Sequence, residues 1–255
     1  MSNLYACLAR NSMPKIASNL YRVRLDFMKE GDELMIVEND STDHTVNFVD
    51  DFSESYHGVS LLSSIENAPS FPSVVSLKRV QNLAKFRNKY LNYAKKRDFE
   101  YLIVFDSDMQ HLPVENFDTM FTEHAAVSSN GLCTNRYYTP DRRIAVREIY
   151  YDSWAYQGLV DDTLFVEGDE IRGITTRYDA QPKFPEREEL IEVRSGFGGL
   201  AVYRMDSLKD CEYHPYEFCG KKAALCEHGG LNEDIRKNGG QVFINTKYQP
   251  VVQAV

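Results

Sequence analysis

A chain of 255 residues with 29 Lys and Arg against 38 Asp and Glu has a net charge of −9 and is long enough to bury one large core or two small ones. That balance argues against a nonspecific nucleic-acid binder, and an anionic substrate would need a metal ion or a local Arg/Lys cluster to meet it. No apolar run reaches membrane-spanning length, residues 1–10 lack a secretory pattern, and the five Cys (7, 133, 211, 219, 226) are scattered without a C-x-x-C pair, which predicts reduced thiols and a cytoplasmic setting.

Asn3–Ala9 (NLYACLA) reads as a first strand that ends in Arg10-Asn11-Ser12. Pro14 suits the first turn of a helix, with Ser12 or Met13 near the cap position. Ile16, Leu20, Val23 and Phe27 follow at helical spacing as far as Gly31. Glu33–Val37 (ELMIV) is a second strand running into Glu38-Asn39-Asp40-Ser41-Thr42-Asp43, where Ser41, Thr42 or Asp43 caps the next helix. Val59–Leu62 makes a third strand. This β-α-β-α-β order predicts a parallel sheet, so the polar clusters at 10–12 and 38–43 share the rim formed by strand C-termini. Glu38 or Asp40 on that rim would accept hydrogen bonds from a base or ribose. Ordinary caps and turns have the same composition, and Asp43 is read as one.

Residues 63–76 contain two Pro and many Ser and form a surface loop. Lys78–Lys96 is one long helix whose stripe of Val80, Leu83, Ala84, Leu91 and Ala94 is interrupted by Arg87. Arg79, Asn82, Lys85, Phe86 and Arg87 gather toward its N-terminal half, the end whose dipole favours anions; a solvated basic face is the plain alternative. Tyr101–Phe105 is an unbroken apolar run leading into Asp106-Ser107-Asp108, as expected for a strand buried on both faces. Ligands of open α/β sheets bind beyond such strand ends. Two carboxylates one residue apart can hold one divalent cation there and leave its other positions to phosphate oxygens. A polar strand end with no ligand is the alternative.

These motifs in this order resemble the GT-A type of nucleotide-sugar glycosyltransferase: a strand ending in Arg-Asn, one ending in Glu-Asn-Asp-Ser-Thr-Asp, an Arg-x-x-Asn-x-x-x-x-Arg-Asn helix and a strand into Asp-x-Asp. Tyr150-Tyr151-Asp152-Ser153-Trp154-Ala155, Ser195-Gly196-Phe197-Gly198-Gly199 and Cys226-Glu227-His228 extend the likeness toward capsule mannosyltransferase-like proteins and small glycosyltransferase domains of large algal viruses. The resemblance implies a single GT-A domain over 1–255, α/β with a Rossmann-like, mostly parallel sheet flanked by helices and a smaller acceptor-side subregion. Residues 1–110 would be the nucleotide-sugar-binding half and 111–255 the acceptor-binding half. It further implies that Arg10, Glu38, Asp40, Arg79, Asn82, Arg87, Asp106 and Ser107 bind a UDP- or GDP-linked donor. Asp108, with Asp106, would hold Mn²⁺ or Mg²⁺ on the diphosphate. The acceptor would be a hydroxyl of a glycan or glycoprotein.

In the second half, His111 reads as an exposed turn residue and Val114–His124 as helix-like. Residues 136–154 are rich in Tyr and Arg, and aromatic faces beside carboxylates suit sugar rings. Asp152 and Trp154 are therefore substrate-site candidates, although a lone Trp can equally be core. Residues 157–190 are acidic and turn-prone, a surface excursion. Three Gly within 196–199 allow close backbone approach, and the resemblance places Gly198 and Gly199 facing the sugars. It also makes Glu227 the candidate base and puts His228, where an Asp often stands in these enzymes, on the metal or the leaving phosphate. Cys211, His214, Cys219, Cys226 and His228 have spacings that match no common zinc finger.

Two rivals come from other classes. An Asp-nucleophile phosphatase also begins with an apolar strand and Asp-x-Asp, but near its chain start and with Thr or Val where this chain has Gln110. The other is a glycan-binding module on a catalytically inactive transferase fold.

Overall fold

A computed structural model describes residues 2–69, 76–138, 141–152, 154–159, 165–167, 174–176, 184, 190–217 and 224–253. In chain order its elements are β1 (Ser2–Ala9), α1 (Lys15–Arg22), β2 (Glu33–Asn39), α2 (Thr45–Ser55), β3 (Val59–Ser64), α3 (Leu77–Ala94), β4 (Phe99–Asp106), β5 (Ala126–Ser129), β6 (Leu132–Tyr138) and β7 (Ile144–Tyr150), followed by β8 (Phe165–Glu167), β9 (Ile174–Thr176), β10 (Leu190–Val193), β11 (Leu200–Arg204), β12 (Tyr216–Glu217), β13 (Ala224–Leu225), α4 (Glu227–Lys237), β14 (Val242–Asn245) and β15 (Val251–Gln253). Most of the excursion expected over 157–190, part of the 63–76 loop, and Cys219 lie outside the described residues.

Eight strands form the central sheet in the order β10-β14-β5-β11-β4-β1-β2-β3. β3, β2, β1 and β4 are mutually parallel, β14 is parallel to β5, and β11 runs antiparallel between β4 and β5. β10 closes the edge antiparallel to β14. A smaller sheet, β15-β6-β7, lies beside it. The fold is thus α/β with a mostly parallel sheet, as expected.

The unbroken apolar run of β4 follows from its position. Leu102 and Val104 pack into one core with Tyr90 and Leu91 of α3 and Leu231 and Ile235 of α4. Ile103 and Phe105 pack into the other, with Ile16 and Leu20 of α1 and Val49 and Phe52 of α2. Both faces are dry, so no alternation survives.

Three local expectations change. The first helix ends at Arg22 and gives way to a wider π-type turn over Val23–Phe27, which keeps both of those residues buried. Neither Ser12 nor Met13 caps it; Pro14 holds the N-cap position, with no side-chain cap bond. The stretch 114–124 carries a single 3-10 turn, Phe117–Met120, because Asn116 in a left-handed conformation (φ 61°) interrupts a helix there. At α2 the N-cap position falls to His44, with no side-chain cap bond, and not to Ser41, Thr42 or Asp43; Asp43 makes a local turn instead, its Oδ1 accepting from the Thr45 N–H at 2.9 Å.

The glycine-rich segment before β11 crosses the β5–β6 connection at backbone contact. A Cβ on Gly198 (φ +63°) would stand 2.0 Å from the Ser129 carbonyl oxygen, whereas one on Gly239 (φ +86°) would meet nothing within 4 Å. Gly198→Ala is expected to cost about 3 kcal/mol through combined strain and overlap. Gly239→Ala should cost about 1 kcal/mol, through backbone strain alone. Urea denaturation of the pair checks this; equal losses would contradict the crossing.

Candidate active site

The rim at the C-terminal ends of β1, β2 and β4 is built by loops that latch to one another. The Asn11 side-chain oxygen accepts from the Thr42 N–H at 2.7 Å, tying the β1 loop to the β2 loop. Arg10 donates to the Ala68 carbonyl at 2.9 Å. Asp40 accepts from the N–H groups of Glu66, Asn67 and Ala68 at 2.9, 2.9 and 3.1 Å, which draws the segment after β3 against the rim. The Asn39 amide, aided by these backbone donors, holds the Asp40 carboxyl down at about 2. The result is a cleft of about 580 Å³ whose walls include Arg10, Asp40, Arg79, Asn82, Asp106 and Asp108. Glu38 is not among them. It is 1% exposed, and its oxygens accept from the Ser41 N–H (2.9 Å) and the Ser63 hydroxyl (2.6 Å), so it braces the rim from beneath.

The aspartate turn itself is clamped. The Asn19 amide of α1 donates to the carbonyls of Ser107 and Met109, both at 3.0 Å, and the Ser107 hydroxyl donates to Ser12 Oγ at 3.1 Å. Ser107 is buried at the edge of the cleft beside Ser12, while Asp106 is half-buried and Asp108 exposed. Asn19 escaped the sequence reading, yet its signal was there: a polar residue at a buried position of the stripe formed by Ile16, Leu20 and Val23.

A second chamber of about 280 Å³ shares Leu8, Arg79, Leu83, Asp106 and Asp108 with the first, so the two adjoin at the aspartates. Asp152, Trp154, Glu227 and His228 line this second part. At its floor lies Arg87, 6% exposed. Its Nε donates to Glu227 Oε1 at 2.7 Å, its Nη1 to the Tyr90 hydroxyl at 3.1 Å, and its Nη2 stands 3.7 Å from Asp106 Oδ1. The guanidinium also lies over the Phe197 ring at 5.4 Å. Burial works against its charge, and the surrounding tyrosines and carboxylates more than offset that, raising its pKa.

Four carboxylates (Asp106, Asp108, Asp152, Glu227) thus border a chamber whose buried cation is Arg87. Burial, then repulsion from Asp108, Asp152 and Glu227, pushes the Asp106 carboxyl up to about 8 against the pull of Arg87. Burial and Glu227 push Asp152 up to about 6, opposed by the Ala155 N–H that its Oδ1 accepts at 3.1 Å. The four carboxylates outnumber the two guanidinium groups of the chamber, Arg87 and Arg79, which fits a cation.

Several predicted residues stand elsewhere than expected. His228 is 1% exposed, its ring stacks on Phe197 at 3.7 Å, and its Nδ1 faces the Tyr203 hydroxyl at 3.4 Å. Burial and then Arg87 lower its pKa, so it is neutral. Among the described residues no three His, Cys, Asp or Glu side chains converge as metal ligands, so the structure does not join His228 to Asp106 and Asp108, and it assembles no zinc site from the cysteines. Gly198 and Gly199 line neither chamber. They serve the backbone crossing, where the Gly199 carbonyl accepts from the Asp106 N–H at 2.8 Å and so fixes the end of β4 from behind. His111, by contrast, is exposed as read, and pairs with Val251 through its backbone. No disulfide joins the four described cysteines.

Comparison with known proteins agrees with this picture. A family model described as Glycosyl transferase family 2 matches residues 9–211. No curated protein sequence matches the chain. Similar solved structures include GalNAc-T7 with UDP, GalNAc and Mn²⁺ (TM-score 0.58, 10% identity, covering 100% of this chain and 44% of that one). They also include S. aureus TarS with UDP-GlcNAc (0.53, 16%, 100% and 59%) and the Pyrobaculum calidifontis mannosyltransferase PcManGT with GDP-Man and Mn²⁺ (0.51, 14%, 98% and 56%). At these identities the likeness is one of fold, and this chain spans about half the length of those neighbours. No helix among the described residues is long and apolar enough to cross a membrane.

Two predictions follow from the geometry of the turn. Asn19→Ala removes both donors to buried carbonyls and should cost about 1–3 kcal/mol in urea denaturation; a loss below 0.5 kcal/mol, the scatter of ordinary surface changes, would contradict the clamp. Folded Asp106 keeps its proton up to about pH 8, whereas the unfolded chain releases it near 3.8. Between those values the native state binds more protons, so the stability tied to this group falls as pH rises through that window. Asp106→Asn in EDTA should therefore raise Tm relative to wild type at pH 8, with the gap closing toward pH 4. Parallel curves would contradict the buried-acid assignment.

Proposed function

This chain belongs to glycosyl transferase family 2, and we propose that it moves a sugar from a UDP- or GDP-linked donor to a hydroxyl of a glycan or glycoprotein. The observation that carries this reading is the aspartate pair shared by a larger and a smaller chamber. In it, the nucleoside lies in the larger chamber against Arg10 and Asp40. Arg79 and Asn82 reach the diphosphate from the N-terminal end of α3, and Asp106 and Asp108 stand beneath it. The sugar enters the smaller chamber, where Trp154 offers a ring face and Asp152 an acceptor for hydroxyl hydrogens. Residues 1–110 form the donor half and 111–255 the acceptor half.

The fit to a metal rests on charge: two carboxylates at the joint, a surplus of acid around them, and no third side-chain ligand among the described residues. An Mn²⁺ or Mg²⁺ ion on Asp106 and Asp108 would complete its shell with diphosphate oxygens and water and would stabilise negative charge on the departing diphosphate. The neighbours crystallised with Mn²⁺ beside UDP or GDP-Man support this chemistry. Family membership sets aside the phosphatase reading. The motif order extends the proposal to an enzyme akin to the capsule and algal-virus proteins, and the scattered cysteines extend it to a cytoplasmic setting.

Thermal unfolding against UDP and GDP, each with and without Mn²⁺, tests the reading, since a ligand specific to the native state raises apparent stability as RT ln(1 + [L]/Kd). One nucleotide should stabilise the protein in an Mn²⁺-dependent manner, and Asp108→Ala should abolish the dependence. Stabilisation that ignores Mn²⁺, or survives intact in Asp108→Ala, would contradict it.

A further inference from the structure

The sequence points to Glu227 as the group that deprotonates the acceptor, and the geometry points away from it. Glu227 is 2% exposed, with Oε1 held by Arg87 Nε at 2.7 Å and Oε2 accepting from the Cys226 thiol at 3.6 Å. Both oxygens of this carboxylate are thus engaged by a guanidinium and a thiol within the protein, which leaves little of it to meet an acceptor in the chamber. Its task is to hold Arg87 under Asp106. The other carboxylate on the chamber wall, Asp152, is differently placed. It stands just past the end of β7, makes no ion pair among the described residues, and accepts backbone N–H bonds from Ala155 (3.1 Å) and Trp154. Those bonds orient the carboxylate, and Arg87 acts on it only from beyond ion-pair distance.

Resting on the glycosyltransfer reading above, we propose that Asp152 is the catalytic base of an inverting transfer. The acceptor hydroxyl gives its proton to the Asp152 carboxylate as its oxygen bonds to the anomeric carbon. The bond from that carbon to the diphosphate oxygen breaks, the electron pair leaves on the diphosphate, and the anomeric configuration inverts. Water can stand in for the acceptor in the same step, which makes the proposal testable without knowing the acceptor.

The experiment uses the full chain with Mn²⁺ and, in separate arms, UDP-GlcNAc and GDP-mannose, with water as the only acceptor. It reads release of UDP or GDP, the anomer of the freed sugar by NMR, and thermal stabilisation by UDP and GDP. Wild type should hydrolyse one donor with inversion. Asp152→Asn should lower kcat about 10²–10⁴-fold with Mn²⁺-dependent nucleotide stabilisation unchanged, and Asp152→Glu should recover part of the rate. The assignment is overturned if Asp152→Asn retains the wild-type rate, if it loses nucleotide stabilisation as well, if the freed sugar keeps its configuration, or if a nucleotide-binding wild type hydrolyses neither donor. In each of those cases nucleotide binding by wild type leaves the glycosyltransfer reading standing. Absence of Mn²⁺-dependent stabilisation by either nucleotide in wild type would instead overturn that reading itself, and the base assignment with it.

Discussion

A guanidinium taken out of water must find its partners inside the protein, and Arg87 finds them on three separate elements. It sits on α3, donates to Glu227 at the first turn of α4, and faces Asp106 at the end of β4. A buried ion pair of this kind contributes little net stability, because desolvation consumes most of the attraction. Its effect is geometric. Removing one partner strands the other charge, so the three elements hold one relative position, and the end of β4 is fixed where the two chambers meet. Asn19 secures the same turn from the opposite face of the sheet through the Ser107 and Met109 carbonyls.

Arg87 and Arg79 supply two positive charges to a chamber bordered by four carboxylates, and burial, with the neighbouring carboxylates, lifts the Asp106 pKa to about 8. A site that leaves like charges unrelieved is unstable by design and is relieved by a cation. Stability and binding are opposed here in the manner common at functional sites. The imbalance that makes the empty site costly is what a divalent ion and a diphosphate would resolve.

The fold was legible in the sequence because it is written in local pattern. Continuous apolar strands, an amphipathic α3 and strand-end polar clusters all depend on neighbours within a few residues. The helix expected over 114–124 failed for an equally local reason, a left-handed Asn116 that no periodicity reveals. Within the site, the strand-end residues Arg10, Asp40, Asp106 and Asp108 came together as expected, because the C-terminal rim of a parallel sheet collects them. What could not be read were orientations set by tertiary partners. Glu38 sits on the right rim but turns inward to Ser41 and Ser63. Gly198 lies beside the site yet serves a backbone crossing with Ser129. Glu227 and His228 reach the chamber, but Arg87 and Phe197 occupy them. In each case residue type and position were informative, and the partner that decided the role lay tens of residues away.

The central claim is that the charge imbalance at the end of β4 is a metal-diphosphate seat. A crystal soaked with Mn²⁺ and the stabilising nucleoside diphosphate, measured at a wavelength where manganese scatters anomalously, tests it most directly. The account predicts one anomalous peak bridging the carboxylates of Asp106 and Asp108 and the diphosphate oxygens. Manganese bound elsewhere with that pair bare, or a diphosphate seated away from it, would contradict the account.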